Sequence, residues 1–129
     1  MTWRILSLLL LPACGPALFA APPPVDFEQQ VWPVLERHCL ECHNARQRYA
    51  NLRLDSRERI LRGGDLGEVL IPGEPDESSL YGRTILPRDD LDFMPVDNEP
   101  LSEEEKEILR RWIAEGADFG DWQSAGDGP

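Results

Sequence analysis

The sequence predicts an all-α fold in which one helix near each end of the body is joined to the other by long irregular connections. Two stretches carry apolar residues at helical spacing, which are Phe27, Val31, Val34 and Leu35 in the first and Ile108, Leu109, Trp112 and Ile113 in the second. Residues 44–100 between them are rich in Gly, Pro, Asp and Asn. No alternating strand pattern of useful length and no internal repeat appears.

The first helix is expected to begin after Asp26, whose carboxylate is a good N-terminal cap and pairs with Gln29 in a pattern similar to a capping box. Pro33 lies inside this segment and removes one backbone hydrogen bond. We therefore expect either a kink at Pro33 or a helix that starts nearer to Trp32.

Shorter helical patterns follow at 56–62, closed by two glycines, and at about 76–84. The last helix has the clearest signals. Ser102 is its cap, Glu105 completes a capping box, and Gly116 marks its end. The sequence thus predicts helices at the two ends of the body and little regular structure between them.

The first 21 residues are typical of an export signal, with Arg4 before a short apolar run and small residues after it. The segment Leu11–Cys14 also resembles a bacterial lipoprotein signal, in which Cys14 is lipidated, although Pro12 is unusual at its position. We expect a periplasmic or secreted protein, lipid-anchored if Cys14 is modified. No later run approaches the roughly 20 apolar residues that cross a bilayer.

After the signal we expect a stiff proline-rich spacer over 22–25, one domain over 26–119 and a loose tail over 120–129. The formal net charge of −11 becomes −12 when Arg4 leaves with the signal. Nucleic acid and anionic lipid are therefore poor partners. The acidity favours solubility, or it steers the protein toward a basic redox partner.

The run C-L-E-C-H at 39–43 is the one motif that carries specific chemistry. Its spacing suits covalent attachment of one haem c, because Cys39 and Cys42 can form thioether bonds to the two vinyl groups while His43 ligates the iron. Cys14 belongs to the signal, so these are the only cysteines of the mature body. An export signal strengthens this interpretation, because bacterial haem attachment takes place outside the cytoplasm.

Three other interpretations of the pair remain open. Cys39 and Cys42 could form an ordinary disulfide, or a thioredoxin-like dithiol, which would require a preceding strand that the sequence does not show. A zinc site would have to draw its four ligands from a cluster of six residues that holds His38 and His43 beside the cysteines. Neighbouring residues such as His38 and Cys39 rarely point at one metal.

Met94 is the candidate for the second axial iron ligand, by elimination. It is the only methionine after the signal, and it lies in an irregular stretch that can fold back over the haem. His38 is tethered beside Cys39 on the proximal side, and the alternative role for Met94 is that of a core residue that fills a gap. Arg46, Arg48 and Arg53 follow the motif, and we assign none of them to a haem propionate.

With these residues identified, the chain resembles the planctomycete-type cytochrome c domain, a relative of the class I cytochromes c, over about residues 26–119. The similar segments follow one another in order; they are V-W-P-V-L-E-R-H-C-L-E-C-H at 31–43, L-R-L-D-S-R at 52–57, G-G-D from Gly63, I-P-G-E-P-D-E-S-S-L at 71–80, Met94-Pro95 and L-S-E-E-E through R-W-I-A-E-G-A at 101–117. The resemblance implies a class I-like fold whose first and last helices pack beside a covalent haem. Val96 departs from the family, which often has a second proline there.

Electron transfer, rather than enzymatic catalysis, is the function that these residues favour, since His43 and Met94 would fill both axial positions. Two alternatives remain. The first is a haem sensor or peroxidase-like site in which Met94 is displaced, and the second is a haem module that docks on a larger periplasmic enzyme. Redox proteins are the expected partners in each case, and the sequence does not indicate an oligomeric state.

Overall fold

The computed structural model describes Gly15 and residues 20–126. Its regular elements are a π-helical turn at Phe27–Val31 that continues into α1 at Trp32–His38, then α2 at Arg57–Arg62, α3 at Ser79–Gly82 and α4 at Glu103–Ala114, with single 3₁₀ turns at Tyr49–Asn51 and Pro75–Glu77. In this part of the chain the only β-type pairings are isolated bridges. The prediction of an all-α fold with irregular connections is confirmed.

The first helical segment begins at Asp26, as the sequence predicts. The Asp26 carboxylate accepts a hydrogen bond from the Gln29 N–H at 2.7 Å, and the Asp26 N–H donates to the side chain of Gln30 at 2.9 Å. Gln30 therefore completes the cap instead of Gln29. The disturbance expected at Pro33 is also confirmed, because the α-helical part begins at Trp32 after a wider turn.

The two short helical patterns of the middle are present in modified form. Ser56 caps α2 and Gly63 follows its last residue, as predicted. The pattern at 76–84 is divided at Ser78, which is fully buried in an extended conformation. Its hydroxyl accepts from the Ile71 N–H at 2.8 Å and donates to the Glu74 carbonyl at 2.8 Å, so Ser78 holds a turn closed and does not continue a helix.

Helix α4 follows its prediction closely. Ser102 and Glu105 form a reciprocal capping box, and the glycine after the C-terminal cap, Gly116, has a φ of 105°. Leu109, Trp112 and Ile113 are buried, while Ile108 is only partly covered. The apolar stripe predicted for α4 therefore forms one wall of the core.

An aromatic cluster joins the beginning of the described chain to its end. The ring of Phe27 lies 5.1 Å from Trp112, 4.7 Å from Phe119 and 4.7 Å from Trp122, measured between centroids. Trp122 also contacts Trp32 at 4.9 Å. The N-terminal helical segment and α4 thus pack together through large aromatic surfaces.

The expectation of a loose tail over 120–129 is wrong for residues 120–125. Trp122 is buried, the Arg57 N–H donates to the Gln123 carbonyl at 2.8 Å, and the Ala125 N–H donates to the Asp55 carbonyl at 3.0 Å. The loss of helical periodicity after Asp118 suggested a loose tail, but aromatic burial and backbone pairing hold the segment. Residues 127–129 lie outside the described part.

The export signal at 1–21, with its alternative lipidation site Cys14, lies almost entirely outside the described residues and stays a prediction. Within residues 20–126, none of the helices has the length and apolar character needed to cross a membrane. The boundaries proposed for the domain, 26–119, likewise stay a prediction.

Candidate functional site

The C-x-x-C-H segment forms a turn directly after α1. Cys39 caps the end of α1, since its N–H donates to the Leu35 carbonyl at 2.9 Å. The Cys39 carbonyl then accepts from the N–H groups of both Cys42, at 3.2 Å, and His43, at 3.1 Å. This turn places both cysteines and His43 on one short stretch of backbone, and the two thiols are not joined by a disulfide.

Burial dominates the chemistry of the Cys39 thiol. Burial, together with the neighbouring charge of Cys42, raises the pKa of Cys39 to about 12. Cys39 is therefore a neutral thiol at neutral pH. This environment favours uncharged sulfur, and the thioether of an attached haem is uncharged.

His43 is held by the chain that follows it. The His43 carbonyl accepts from the Leu54 N–H at 2.9 Å, and the ring Nδ1 lies 3.2 Å from the Leu52 carbonyl oxygen. With the proton on Nδ1, the ring donates to Leu52 and leaves the lone pair of Nε2 for a metal. A backbone carbonyl on the other ring nitrogen is the usual support of a metal-binding histidine.

The electrostatics of His43 favour its neutral form. Burial lowers the pKa of the imidazole and the positive charge of Arg83 lowers it further, while hydrogen bonds to the backbone of Leu52 and Tyr49 act in the opposite direction. The net result is a pKa below the ordinary value of 6.5. Neutral imidazole is the form that ligates iron.

His38, the other histidine, is engaged elsewhere. It is 7% exposed, and its Nε2 lies 3.1 Å from both carboxylate oxygens of Glu105 on α4. The Arg37 guanidinium also donates a hydrogen bond to the Glu105 carboxylate at 2.6 Å. His38 thus contributes to the contact between α1 and α4.

Met94 lies on a separate loop that has no regular structure between α3 and α4. Its N–H donates to the Arg83 carbonyl at 3.0 Å, and its peptide bond to Pro95 is cis. The residues on either side, Phe93 and Pro95, are buried, while Met94 itself is partly exposed. The loop is therefore anchored around the methionine.

One hydrogen bond and one electrostatic interaction connect this loop to the C-x-x-C-H turn. The Asn98 side-chain amide donates to the Glu41 carboxylate at 3.0 Å, and Glu41 lies between the two cysteines. The Arg83 carbonyl accepts the Met94 N–H, and the Arg83 guanidinium pairs with Asp92 at 2.9 Å. The positive charge of Arg83 also lowers the pKa of His43. The loop that carries Met94 is therefore hydrogen-bonded to the C-x-x-C-H turn.

Comparison with protein families decides the class of this site. Residues 39–97 match the family described as Planctomycete cytochrome C, a span that begins at Cys39 and includes Met94. This part of the chain is a planctomycete-type cytochrome c domain. Comparison with curated proteins and with solved structures gave no significant match.

The cytochrome c domain implies a covalently bound haem c, and the donor set of the structure fits that group. Cys39 and Cys42 are unpaired thiols on one turn, and the hydrogen bond from His43 Nδ1 to Leu52 leaves Nε2 available. Among the described residues, no three His, Cys, Asp or Glu side chains converge as a zinc site requires.

The arginines after the motif differ in their contacts. The cytochrome domain holds Arg53 against Asp55 through two hydrogen bonds, at 3.0 and 2.8 Å, while Arg48 donates to the Ala45 carbonyl at 3.0 Å. The sequence does not predict that Arg83 influences His43. No signal in the sequence could have identified Arg83, because its proximity to His43 follows from the fold of the loop.

The supporting contacts of Leu52 and Asn98 were also missed. Leu52 supports His43 with its main chain, so its side chain carries no signal of the role. Asn98 contacts Glu41 across 57 positions of sequence. Contacts of this kind depend on how the chain folds and not on local pattern.

Proposed function

We propose that this protein is a periplasmic c-type cytochrome that carries single electrons through a haem ligated by His43 and Met94. The observation that supports it most is the hydrogen bond of His43 Nδ1 to the Leu52 carbonyl, on the same turn as two unpaired thiols. When bound, the haem supplies a one-electron couple between Fe(III) and Fe(II).

Each residue of the chain has a separate task in this proposal. Cys39 and Cys42 hold the group through thioether bonds, which keeps a large cofactor in a small domain. The ring of His43 is oriented by Leu52 for ligation from one side. Met94 ligates from the other side with a thioether sulfur, which favours the reduced state and raises the potential.

The arrangement between the N-terminal helical segment and α4 also supports a class I-like fold around the haem. Glu105 on α4 contacts both Arg37 and His38, immediately before Cys39. This contact fixes the end of α1, and with it the start of the C-x-x-C-H turn. A fixed turn holds the two sulfurs and the ring nitrogen at constant relative positions, as a rigid support of a functional site must.

The first test is covalent attachment. The chain is expressed with a haem-attachment system, and the denatured protein is examined by mass spectrometry and by its pyridine haemochrome spectrum. We expect the mass of one haem in the parent protein and no covalent haem in the double variant Cys39→Ser/Cys42→Ser. The parent protein expressed without the haem-attachment system is the matched control. Absence of covalent haem from the parent protein expressed with that system would reject the proposal.

A haem sensor or peroxidase-like function is the second candidate, and one observation favours it. The segment that carries Met94 has no helix between α3 and α4, and Val96 beside it is 64% exposed. A loop of this kind can release a ligand more readily than a helix. Carbon monoxide added to the reduced protein discriminates the two, since a firmly ligated Met94 blocks its binding.

Redox proteins are the partners that we propose, because the proposed function is electron transfer and the chain is acidic. A net charge of −11 suits a partner with a basic docking surface. Such a partner could be a free carrier or a larger periplasmic enzyme on which this domain docks. Co-purification from the periplasm distinguishes these two, because only the second gives a stable complex.

A further inference from the structure

A small cavity on the side of α2 is lined by three arginines. Its volume is about 130 Å³, and its lining consists of Arg53, Arg59, Arg62, Asn51, Gly63 and Gly64. The whole chain has only 13 lysines and arginines against 24 acidic residues. Three cationic side chains around one cavity are therefore unusual for this protein and indicate a preference for a negatively charged group.

The carboxylates beside the cavity do not neutralise it. Asp55 accepts two hydrogen bonds from Arg53, and Glu58 accepts one from Arg62 at 2.6 Å. Arg59 forms no ion pair with any residue of 20–126, so its guanidinium adds a positive charge beside the ion pairs of Arg53 and Arg62. Because a guanidinium carries five N–H donors, Arg62 and Arg59 retain most of theirs.

Residues 63–67 form a glycine-containing turn, and Gly63 and Gly64 of this turn line the cavity. The Gly64 N–H donates to the Gly67 carbonyl at 3.0 Å, and the Asp65 N–H donates to the Ala50 carbonyl at 2.8 Å. A Cβ atom on Gly63 would come within 2.1 Å of the Gly67 oxygen, and Gly63 has a φ of 75°. A side chain at Gly63 is therefore excluded, and backbone hydrogen bonds hold the shape of the turn.

We propose that this cavity binds a small oxyanion of the phosphate class. A cavity of about 130 Å³ has room for several water-sized groups, and therefore for a small tetrahedral oxyanion. Guanidinium groups recognise phosphate oxygens through paired hydrogen bonds, and Asn51 is a further polar residue of the lining. Phosphate binding at this site does not require the haem, so this proposal can be rejected without rejecting the proposed electron transfer.

The test uses inorganic phosphate and the haem-loaded protein at constant ionic strength. Isothermal titration gives the affinity, and the amide resonances of Gly63 and Gly64 in the reduced protein give the location. We expect saturable binding in the parent protein that is weakened about tenfold or more in Arg59→Gln, because one charge-assisted contact is lost. Arg88→Gln is the matched control; Arg88 is exposed and forms no ion pair within the described chain. Thermal unfolding of both variants confirms that the fold is retained.

Three results would overturn the proposal. Absence of saturable binding would do so directly. Equal weakening in Arg59→Gln and Arg88→Gln would show that phosphate responds only to overall charge. Absence of phosphate binding, together with a changed pH dependence of the haem spectrum in Arg59→Gln, would assign the arginines to a haem propionate and not to a free ion.

Discussion

A single backbone carbonyl decides the orientation of His43. The Leu52 oxygen lies 3.2 Å from Nδ1, so the opposite nitrogen, Nε2, is left without this partner. Burial and the charge of Arg83 lower the pKa of the ring and keep it neutral. The properties that make His43 a good ligand therefore come from residues 52 and 83, which lie outside the motif.

Met94 gives the sharpest prediction at this scale. We expect the haem-loaded Met94→Ala variant to lose the weak far-red charge-transfer band of Met-ligated Fe(III) and to have a lower midpoint potential, because the thioether favours Fe(II). The optical spectrum and a redox titration measure both. Leu91→Ala is the control, since Leu91 lies in the same loop and is 99% exposed. A band that survives in Met94→Ala would rule out Met94 as the ligand.

At the scale of elements, Glu105 connects α4 to the end of α1. Burial alone would raise the pKa of this carboxyl, but hydrogen bonds from the Ser102 backbone and from His38, with the positive charges of His38 and Arg37, lower it below its ordinary value of 4.5. A carboxylate with a lowered pKa stabilises the fold in its charged form. The contact between the helices therefore depends on pH.

The sign of this dependence defines the second prediction. The stabilisation from Glu105 is fully present above 4.5 and is lost as the pH falls from that value through the lower pKa of the folded state. Glu105→Gln should therefore lower the free energy of unfolding by about 1–3 kcal/mol at neutral pH and by much less in acid. Urea unfolding of both proteins at about pH 7 and about pH 3 measures the difference.

Glu107→Gln serves as the control for that experiment. It lies on the same helix and pairs with Arg110 at 2.8 Å, but it is exposed and far less coupled to the core. Exposed pairs contribute little to stability. An equal effect of Glu105→Gln at both pH values would show that the carboxylate charge is not what holds α1.

At the scale of the whole molecule, the C-terminal segment closes the core over the first helical segment. Trp122 is 7% exposed and touches both Phe27 and Trp32. The backbone of the same segment pairs with Asp55 and Arg57 at the start of α2. The end of the chain thus joins the beginning and the middle into one packed unit.

The indole of Trp122 should contribute strongly to the stability of the fold. We expect Trp122→Ala to lower the free energy of unfolding by about 3–5 kcal/mol, because it deletes a buried aromatic ring and leaves a cavity. Chemical denaturation measured by circular dichroism gives the value. Gln123→Ala is the neighbouring control, as its side chain is exposed. A loss below about 1 kcal/mol would mean that the segment does not belong to the core.

The distribution of acidic residues provides a prediction about partners. The loop around Met94 carries exposed carboxylates at Asp89 and Asp97, whereas Glu28 and Glu36 are exposed on the first helical segment. If partners dock near Met94, Asp89→Asn/Asp97→Asn should slow electron transfer to a basic redox protein more than Glu28→Gln/Glu36→Gln does. Stopped-flow rates at about 0.01 M and about 0.1 M salt measure this, since screening weakens the effect. Equal slowing would mean that only net charge matters.

Local sequence patterns are enough to predict the helices at the two ends, the capping residues Asp26 and Ser102, and the C-x-x-C-H motif. These features depend on residues within one or two turns of each other, such as Ser102 with Glu105, and local hydrogen bonding and periodicity are enough to reveal them. The family can also be predicted from the sequence, because the residues that resemble it follow one another in a fixed order.

The contacts by which distant segments support the core and the site could not be predicted from local sequence. The burial of Trp122, the support of His43 by Leu52 and the contact of Asn98 with Glu41 join residues whose local patterns contain no sign of one another. Burial and long-range hydrogen bonds arise from the packing of the whole chain, and local propensity does not encode them. The tail has no helical period, yet the burial of Trp122 and two backbone hydrogen bonds hold residues 120–125 against the core.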